Sequence, residues 1–264
     1  MNDTTRWLVL VIVVGGMLVA SYYYWQRNVQ RPPAPVEAPP PQAETEPVIR
    51  HPIQPAEVSA LPPLDESDEA TRDALAGLIS QDWIREFFQL EGIVRRIVVT
   101  IDNLPRRQVP LKYMPVKPTG PQFLAIGDEE SIFLNPDNYR RYTPYVRLAE
   151  AVETKKLVTG YVHLYPLFQQ AYKDLGYPSG YFNDRLVEVI DNLLAAPDIK
   201  GPVKLVRPKV MYQFADPDLE ARSAGQKILM RMGSDNAGRI KTKLHEIRRE
   251  LTGQAPNLRS PAAG

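Results

Sequence analysis

Apolar residues in the second part of the chain recur every three or four positions, which is the period of amphipathic helices. One apolar stripe starts behind Ser67, a residue suited to cap a helix, and continues to Phe87. Further helices are predicted over residues 90–104, from about residue 155 to residue 175, and over residues 234–253. The pattern therefore predicts a mainly α-helical domain.

A helix–turn–helix corner is predicted within residues 164–191. Gly176 suits the left-handed conformation that ends many helices, and Pro178 prevents the helix from resuming. We expect the turn to be exposed, and Phe168 and Phe182, one from each helix, to be buried.

The polar triplet Asn183-Asp184-Arg185 lies where the second helix of this corner begins. Short polar side chains at that place accept hydrogen bonds from free backbone N–H groups, and an acid suits the helix dipole. We therefore interpret the triplet as helix initiation, with Arg185 in a local ion pair. A functional site is the alternative.

Four short β-strands are also predicted. Residues 123–126 and 131–134 flank a Gly-Asp-Glu turn and indicate a hairpin, and residues 203–206 and 210–214 are candidate strands. The expected fold class is mainly α, a compact multi-helix domain with one or two small β-hairpins.

The amino-terminal region contains an uncharged stretch, Trp7 to Trp25, of 19 residues. This length crosses a bilayer core of about 30 Å, and aromatic residues at both ends are typical of membrane interfaces. A cleaved signal peptide is the alternative, because Val19-Ala20-Ser21 resembles a cleavage site. We favour a transmembrane helix, since the bulky residues Tyr22 to Trp25 follow at once.

A Pro-rich segment separates this stretch from the helical region, with 11 prolines between residues 30 and 64. Such a composition favours an extended spacer without a packed core. The predicted organisation is a short tail (1–6), a transmembrane helix (7–25), a disordered Pro-rich linker (26–66), a mainly helical globular domain (67–253) and a disordered tail (254–264).

Composition and motifs exclude several classes of chemistry. The 264 residues include no cysteine, so disulfides, thiolate catalysis and cysteine zinc sites are excluded. The histidines His51, His163 and His245 lack metal-site spacing, and no phosphate-binding glycine loop or Ser-containing nucleophile elbow occurs. We therefore predict no cofactor and no metal site, and a net charge of +1 gives no general attraction to nucleic acid.

Four carboxylates remain as possible acid–base groups: Asp102, Asp184, Asp191 and Asp216. A hydrolase would need at least two of them in one cleft. Each also has a local explanation, and Asp216 in particular suits a helix cap before Pro217.

Tyrosine is concentrated in one region, with eight of the 13 tyrosines between Tyr139 and Tyr181. Arg140 and Arg141 lie in the same region, and tyrosine with arginine is the composition favoured at protein interfaces. The candidate interaction surface comprises Arg140, Arg141, Tyr177 and Tyr181.

Charge is divided between the two ends of the domain. Residues 65–91 carry eight acids and two bases, whereas residues 222–252 carry eight bases and three acids. Solvated faces, or attraction between the two terminal helices, explain this pattern. A basic face for lipid head groups or cell-wall polymer is the alternative.

Five motifs together resemble a bacterial family of domains of unknown function, number three thousand and fourteen. The motifs are RRIVVTIDNLP, NYRRY, LYPLFQQAYKDLGYPSGYFNDRLVEVIDNLLAAP, YQFADPDLE and GQKILMRMG. The resemblance covers nearly the whole domain behind the linker. It implies a Gram-negative protein with an inner-membrane anchor and a periplasmic domain, and it transfers no catalytic residue.

The expected function is that of a single-pass inner-membrane protein that presents a periplasmic binding or scaffold domain on a flexible tether. Its partner would be an envelope protein or the cell wall, and no nucleic acid is expected. The alternatives are an envelope hydrolase with paired carboxylates and a purely structural spacer.

Overall fold

A computed structural model describes residues 48–53, 61–120, 122–128 and 131–253. The predicted transmembrane helix, most of the predicted linker and the carboxy-terminal tail lie outside these residues. None of the helices within them is both long and apolar enough to span a bilayer.

Helices make up most of the described chain, as the apolar periodicity predicts. They are α1 (Asp68–Ala76), α2 (Gln81–Phe87), α3 (Ile93–Asn103), α4 (Asn138–Ala151), α5 (Thr154–Asp174), α6 (Phe182–Leu194), α7 (Pro217–Glu220), α8 (Ala224–Arg231) and α9 (Ser234–Gly253). Single 3-10 turns cover Leu64–Glu66 and Leu111–Tyr113.

One antiparallel sheet of four strands takes the place of separate hairpins. Its strands are β1 (Ala125–Ile126), β2 (Ile132–Leu134), β3 (Lys204–Val206) and β4 (Gln213–Phe214), paired in that order. The central pairing sets Ile132 opposite Leu205. Leu134, Leu205 and Phe214 are buried in one cluster, so the two predicted hairpins join because they share a core.

The turn between β1 and β2 requires glycine. Gly127 has a φ of +107°, and a Cβ at this position would lie 1.9 Å from the carbonyl oxygen of Ser131. Any other residue would force the turn open.

The central core lies where α3, α5 and α6 meet. Val94 and Val98 from α3 pack with Phe168 from α5 and Phe182 from α6. The two phenylalanine rings are stacked with centroids 5.8 Å apart, and both side chains are buried, as predicted.

The predicted corner is confirmed. Helix α5 ends at Asp174, Gly176 has a φ of +113°, and α6 starts at Phe182. Because Gly176 occupies the left-handed region of backbone conformation, the chain turns sharply after α5. Helix α6 then packs back against α5.

The first predicted stripe is wrong in one respect, because it forms two helices. Helix α1 ends at Ala76, and α2 starts behind Ser80, whose hydroxyl accepts a hydrogen bond from the N–H of Trp83. Ser67 does not cap α1, since its hydroxyl donates to the carbonyl of Leu64. The Ser67 hydroxyl thus binds the preceding 3-10 turn and not the first turn of α1.

The packed part of the chain begins ahead of the predicted boundary at residue 67. Leu61 and Leu64 pack against the central core, and Ile53 is only 8% exposed. These apolar residues stand among prolines, and burying them removes apolar surface from water. Residues assigned to the linker are therefore part of the domain.

Truncation of a stacked ring tests the central core. We expect Phe168→Ala to lower the free energy of unfolding by about 3 to 5 kcal/mol, because it removes a buried aromatic ring and leaves a cavity. Chemical denaturation measures this change. Met211→Ala is the matched control, since Met211 is 73% exposed and its truncation should change stability by less than about 0.5 kcal/mol. Similar effects of the two substitutions would contradict the assigned core.

Candidate functional site

The corner between α5 and α6 binds a piece of the chain that lies ahead of α1, the first helix of the domain. The N–H of Arg50 donates to Oδ2 of Asp184 at 2.9 Å, and the N–H of His51 donates to Oδ1 of the same carboxylate at 2.7 Å. We call residues 48–53 the strap. One carboxylate thus holds two consecutive backbone amides.

Two further polar side chains, Asn183 and Tyr181, fix the strap. The amide nitrogen of Asn183 donates to the carbonyl of His51 at 2.8 Å, and the Tyr181 hydroxyl accepts from the N–H of Ile53 at 2.7 Å. Asn183 is itself held by the Tyr161 hydroxyl, 3.2 Å from its side-chain oxygen. Asn183 is fully buried, and the contact with Tyr161 orients its amide.

The prediction that Asn183 and Asp184 cap α6 is wrong, since both side chains bind the strap and no side-chain cap is formed at Tyr181. Gln169 supplies the missing contact from the neighbouring helix. Its side-chain oxygen accepts from the N–H of Phe182 at 2.9 Å, and its amide nitrogen donates to the carbonyl of Gly180 at 2.7 Å. The side-chain contact at the start of α6 therefore comes from Gln169 of α5 and not from a residue of α6 itself.

Tyrosine side chains line the same corner. The rings of Tyr161 and Tyr165 lie 5.8 Å apart, and Tyr165 lies 5.5 Å from Tyr181. Burial, reinforced by the neighbouring tyrosines, raises the pKa of Tyr161 and of Tyr165. These hydroxyls therefore remain protonated at neutral pH and serve as hydrogen-bond donors.

A buried carboxylate, Asp102, joins α3 to the same corner. Its Oδ1 accepts from Nε of Arg185 at 3.1 Å, and its Oδ2 accepts from the guanidinium of Arg106 at 2.6 Å. Arg185 also donates to the carbonyl of Asp102 at 2.8 Å and to Glu188 at 2.7 Å. The predicted local ion pair of Arg185 is present, with a longer-range partner in addition.

Tyr177 belongs to this network and is not a free rim residue. Its hydroxyl lies 2.8 Å from the guanidinium of Arg106, and its ring stacks on Tyr172 at 4.6 Å. Tyr181 is likewise engaged by the strap. The arginine that reaches Tyr177 is Arg106, whereas Arg140 and Arg141 make their hydrogen bonds and ion pairs with other residues.

The four candidate acids have four different sets of partners. Asp102 binds arginines, Asp184 binds the strap, Asp191 pairs with Arg248, and Asp216 caps α7 by accepting from the N–H of Asp218 at 2.8 Å. Among the described residues, no group of three or more His, Asp or Glu side chains could hold a metal ion.

The basic residues of α9 are largely used within the domain. Arg239 pairs with Glu150 of α4 and Arg248 with Asp191 of α6. Lys243 donates to the carbonyl of Val152 at 2.6 Å. These partners lie on α6 and on α4 and its carboxy-terminal end, so the expected attraction between the two terminal helices does not explain the charge pattern.

Arg140 and Arg141 line an open pocket of about 470 Å³. Two elements contribute its walls, the end of α2 with Phe87 and the start of α4. The segment ahead of β1 completes it, and Asn138 holds this segment by binding both the N–H and the carbonyl of Leu124, at 2.9 and 2.6 Å. A buried amide therefore holds Leu124, one of the residues that line the pocket.

Arg141 is the more buried of the two arginines that line this pocket. Its guanidinium donates to the Asn138 side-chain oxygen at 3.2 Å and to the Thr119 hydroxyl at 3.0 Å, and its buried Nε has no acceptor in the described part of the chain. Arg140 is far more exposed and forms a loose ion pair with Asp137 at 3.6 Å. Arg141 thus has neutral partners only, although a carboxylate would suit its fork better.

Comparison with known proteins gives one match. A family model described as "Protein of unknown function (DUF3014)" matches residues 93–248, from the start of α3 almost to the end of α9. Neither a curated protein nor a solved structure matches the chain.

Loss of the Asp184 carboxylate should release the strap. Asp184→Ala removes two charge-assisted hydrogen bonds, and we expect the open population of the strap to rise about ten- to hundredfold. Limited proteolysis with trypsin measures this as faster cleavage after Arg50. The matched control is Asp73→Ala, which removes an exposed acid from α1. An unchanged cleavage rate in Asp184→Ala would contradict the assigned contact.

Proposed function

The chain belongs to the DUF3014 family of proteins of unknown function, and we propose that it is a membrane-tethered binding module of the bacterial cell envelope. In this proposal the uncharged stretch from Trp7 to Trp25 anchors the chain in the inner membrane. The helical domain lies in the periplasm and binds an envelope protein or the cell wall. The Pro-rich segment between them provides reach.

The strap supports the tether in this proposal. When part of a spacer is bound to the domain, the position at which the spacer leaves the domain surface is fixed. Asp184, Asn183 and Tyr181 fix it through backbone groups of the strap. These contacts depend little on the strap's side chains, apart from the buried Ile53.

The observation that carries the binding role is the pocket at Arg141. Its volume of about 470 Å³ falls within the range of small-ligand and peptide-anchor sites. The Arg141 guanidinium is partly buried and has no carboxylate partner among the described residues. Such burial of a positive charge costs free energy unless a negative charge pairs with it. A binding partner with a negatively charged group would pair with this arginine. The unpaired arginine therefore supports a binding role over that of a purely structural spacer.

The hydrolase alternative has no comparable support. Asp102, Asp184, Asp191 and Asp216 each bind a different group, and paired acid–base catalysis requires two carboxylates around one substrate. We therefore carry forward the binding role alone.

Membrane topology is the first test of the proposal. A phosphatase that is active only outside the cytoplasm, fused behind Gly253, is expected to be active. A cytoplasmic reporter at the same site is expected to be inactive, and it serves as the control. The reverse pattern would place the domain in the cytoplasm and sink the proposed location.

Photocrosslinking in living cells tests the binding role. A photoreactive amino acid at Leu124, which borders the pocket and is 44% exposed, is expected to give a discrete adduct. The same residue at Val210, which is 77% exposed in the β3–β4 turn, is the control and is expected to give none. Equal, diffuse labelling from both positions would favour a spacer without a specific partner.

A further inference from the structure

We infer that the pocket at Arg141 binds the free carboxyl terminus of a protein partner, seated on the Arg141 guanidinium with an apolar last side chain against the pocket wall. This inference rests on the proposed binding function and specifies the chemistry of its ligand. It assigns to the pocket a single-charge anion and a peptide, rather than a phosphate or a lipid.

The donors of Arg141 determine the charge of the ligand. A guanidinium carries five N–H donors, and two hydrogen bonds are made here, to Asn138 and to Thr119. Nε is buried and out of reach of a ligand. The donors left for a ligand are therefore the second N–H of each Nη nitrogen, for which the described residues provide no acceptor. A carboxylate matches the planar fork with two parallel hydrogen bonds, which neutral acceptors cannot do.

The walls of the pocket determine what is attached to the carboxylate. Apolar and aromatic side chains line the pocket together with the cation, among them Phe87, Leu124, Pro144 and Tyr145. The Phe87 and Tyr145 rings pack edge to face at 5.0 Å, and the Tyr145 hydroxyl is engaged by the carbonyl of Lys117 at 2.8 Å. The ring faces are thus fixed in place, and an apolar terminal side chain gains burial against them.

The acids at the pocket limit the charge of the ligand. Glu86 and Asp137 line the same pocket as Lys117, Arg140 and Arg141. Lys117 is bound to the carbonyl of Arg85, and Arg140 is paired with Asp137. Burial, with the charge of Glu86 added, raises the pKa of Tyr145, which is consistent with a negative field close to the ring. A dianionic phosphate would be repelled by these carboxylates, whereas one carboxylate is balanced by Arg141.

Fluorescence anisotropy with the full-length protein in detergent micelles tests the inference. The probe is a fluorescein-labelled Ala-Ala-Leu peptide with a free carboxyl terminus. We compare it with the carboxy-terminal amide of the same peptide and with an Ala-Asp-Ala peptide amide, which offers only a side-chain carboxylate. Inorganic phosphate is added as a competitor. Binding of the free acid alone, without competition by phosphate, is the expected result.

Two variants locate the site. Arg141→Gln should weaken binding of the free acid about ten- to hundredfold, because charge-assisted hydrogen bonds are lost. Gly120→Leu fills the pocket and leaves Arg141 intact, since a Cβ at Gly120 meets no atom within 4 Å. It keeps the test decisive if Arg141→Gln does not fold, which thermal denaturation shows. Arg147→Gln, an exposed site on α4, is the control and should bind like the wild type.

Each other outcome overturns the inference. Equal binding of acid and amide, stronger binding of the Asp peptide, or displacement by phosphate would assign a different ligand. Wild-type affinity in both pocket variants would place the peptide elsewhere. Failure here with a discrete crosslink at Leu124 leaves the binding function intact, whereas absence of any specific adduct in cells sinks the proposed function itself.

Discussion

Much of the domain depends on one buried ion pair, between Asp102 at the end of α3 and Arg185 in the first turn of α6. Asp102 is only 2% exposed, and a charge in that position is tolerated only with a well-placed partner. Arg185 makes two hydrogen bonds to Asp102, from Nε to the carboxylate and from Nη2 to the backbone carbonyl. Removal of one partner from such a pair commonly costs about 3 to 5 kcal/mol. The pair fixes the start of α6, and Asp184, the next residue back, is thereby placed to hold the strap.

Local features of the fold could be predicted from sequence, because their causes are local. The period of apolar residues identifies the helices, and Gly176 with Pro178 identifies the corner. The burial of Phe168 and Phe182 follows from their spacing on the two helices. The joined sheet could not be predicted, since Ile132 and Leu205 pair across three intervening helices and no local pattern links them.

The sites were harder to predict for the same reason. Asp184 at a helix start has the sequence of a cap, and its actual ligands, the amides of Arg50 and His51, precede it by more than 130 residues. The cap of α6 comes from Gln169, which no capping motif identifies. Composition predicts Arg141 as an interface residue together with Tyr177 and Tyr181, but these two tyrosines bind Arg106 and the strap. The type of a residue indicates which kinds of interaction it can make. Which residue it contacts is determined by the packing of the fold.

The strap also determines where a pulling force enters the domain. Tension on the chain ahead of residue 48 is borne first by four hydrogen bonds at the start of α6, and the load is shared between a carboxylate, an amide and a phenol. We expect these bonds to break before any helix unfolds, because they hold six residues whereas the core behind them joins three helices. Their release frees residues 48–53, which at polyproline spacing add up to about 20 Å of length. If the chain is tethered as proposed, the strap would therefore open under load before the helices of the domain unfold.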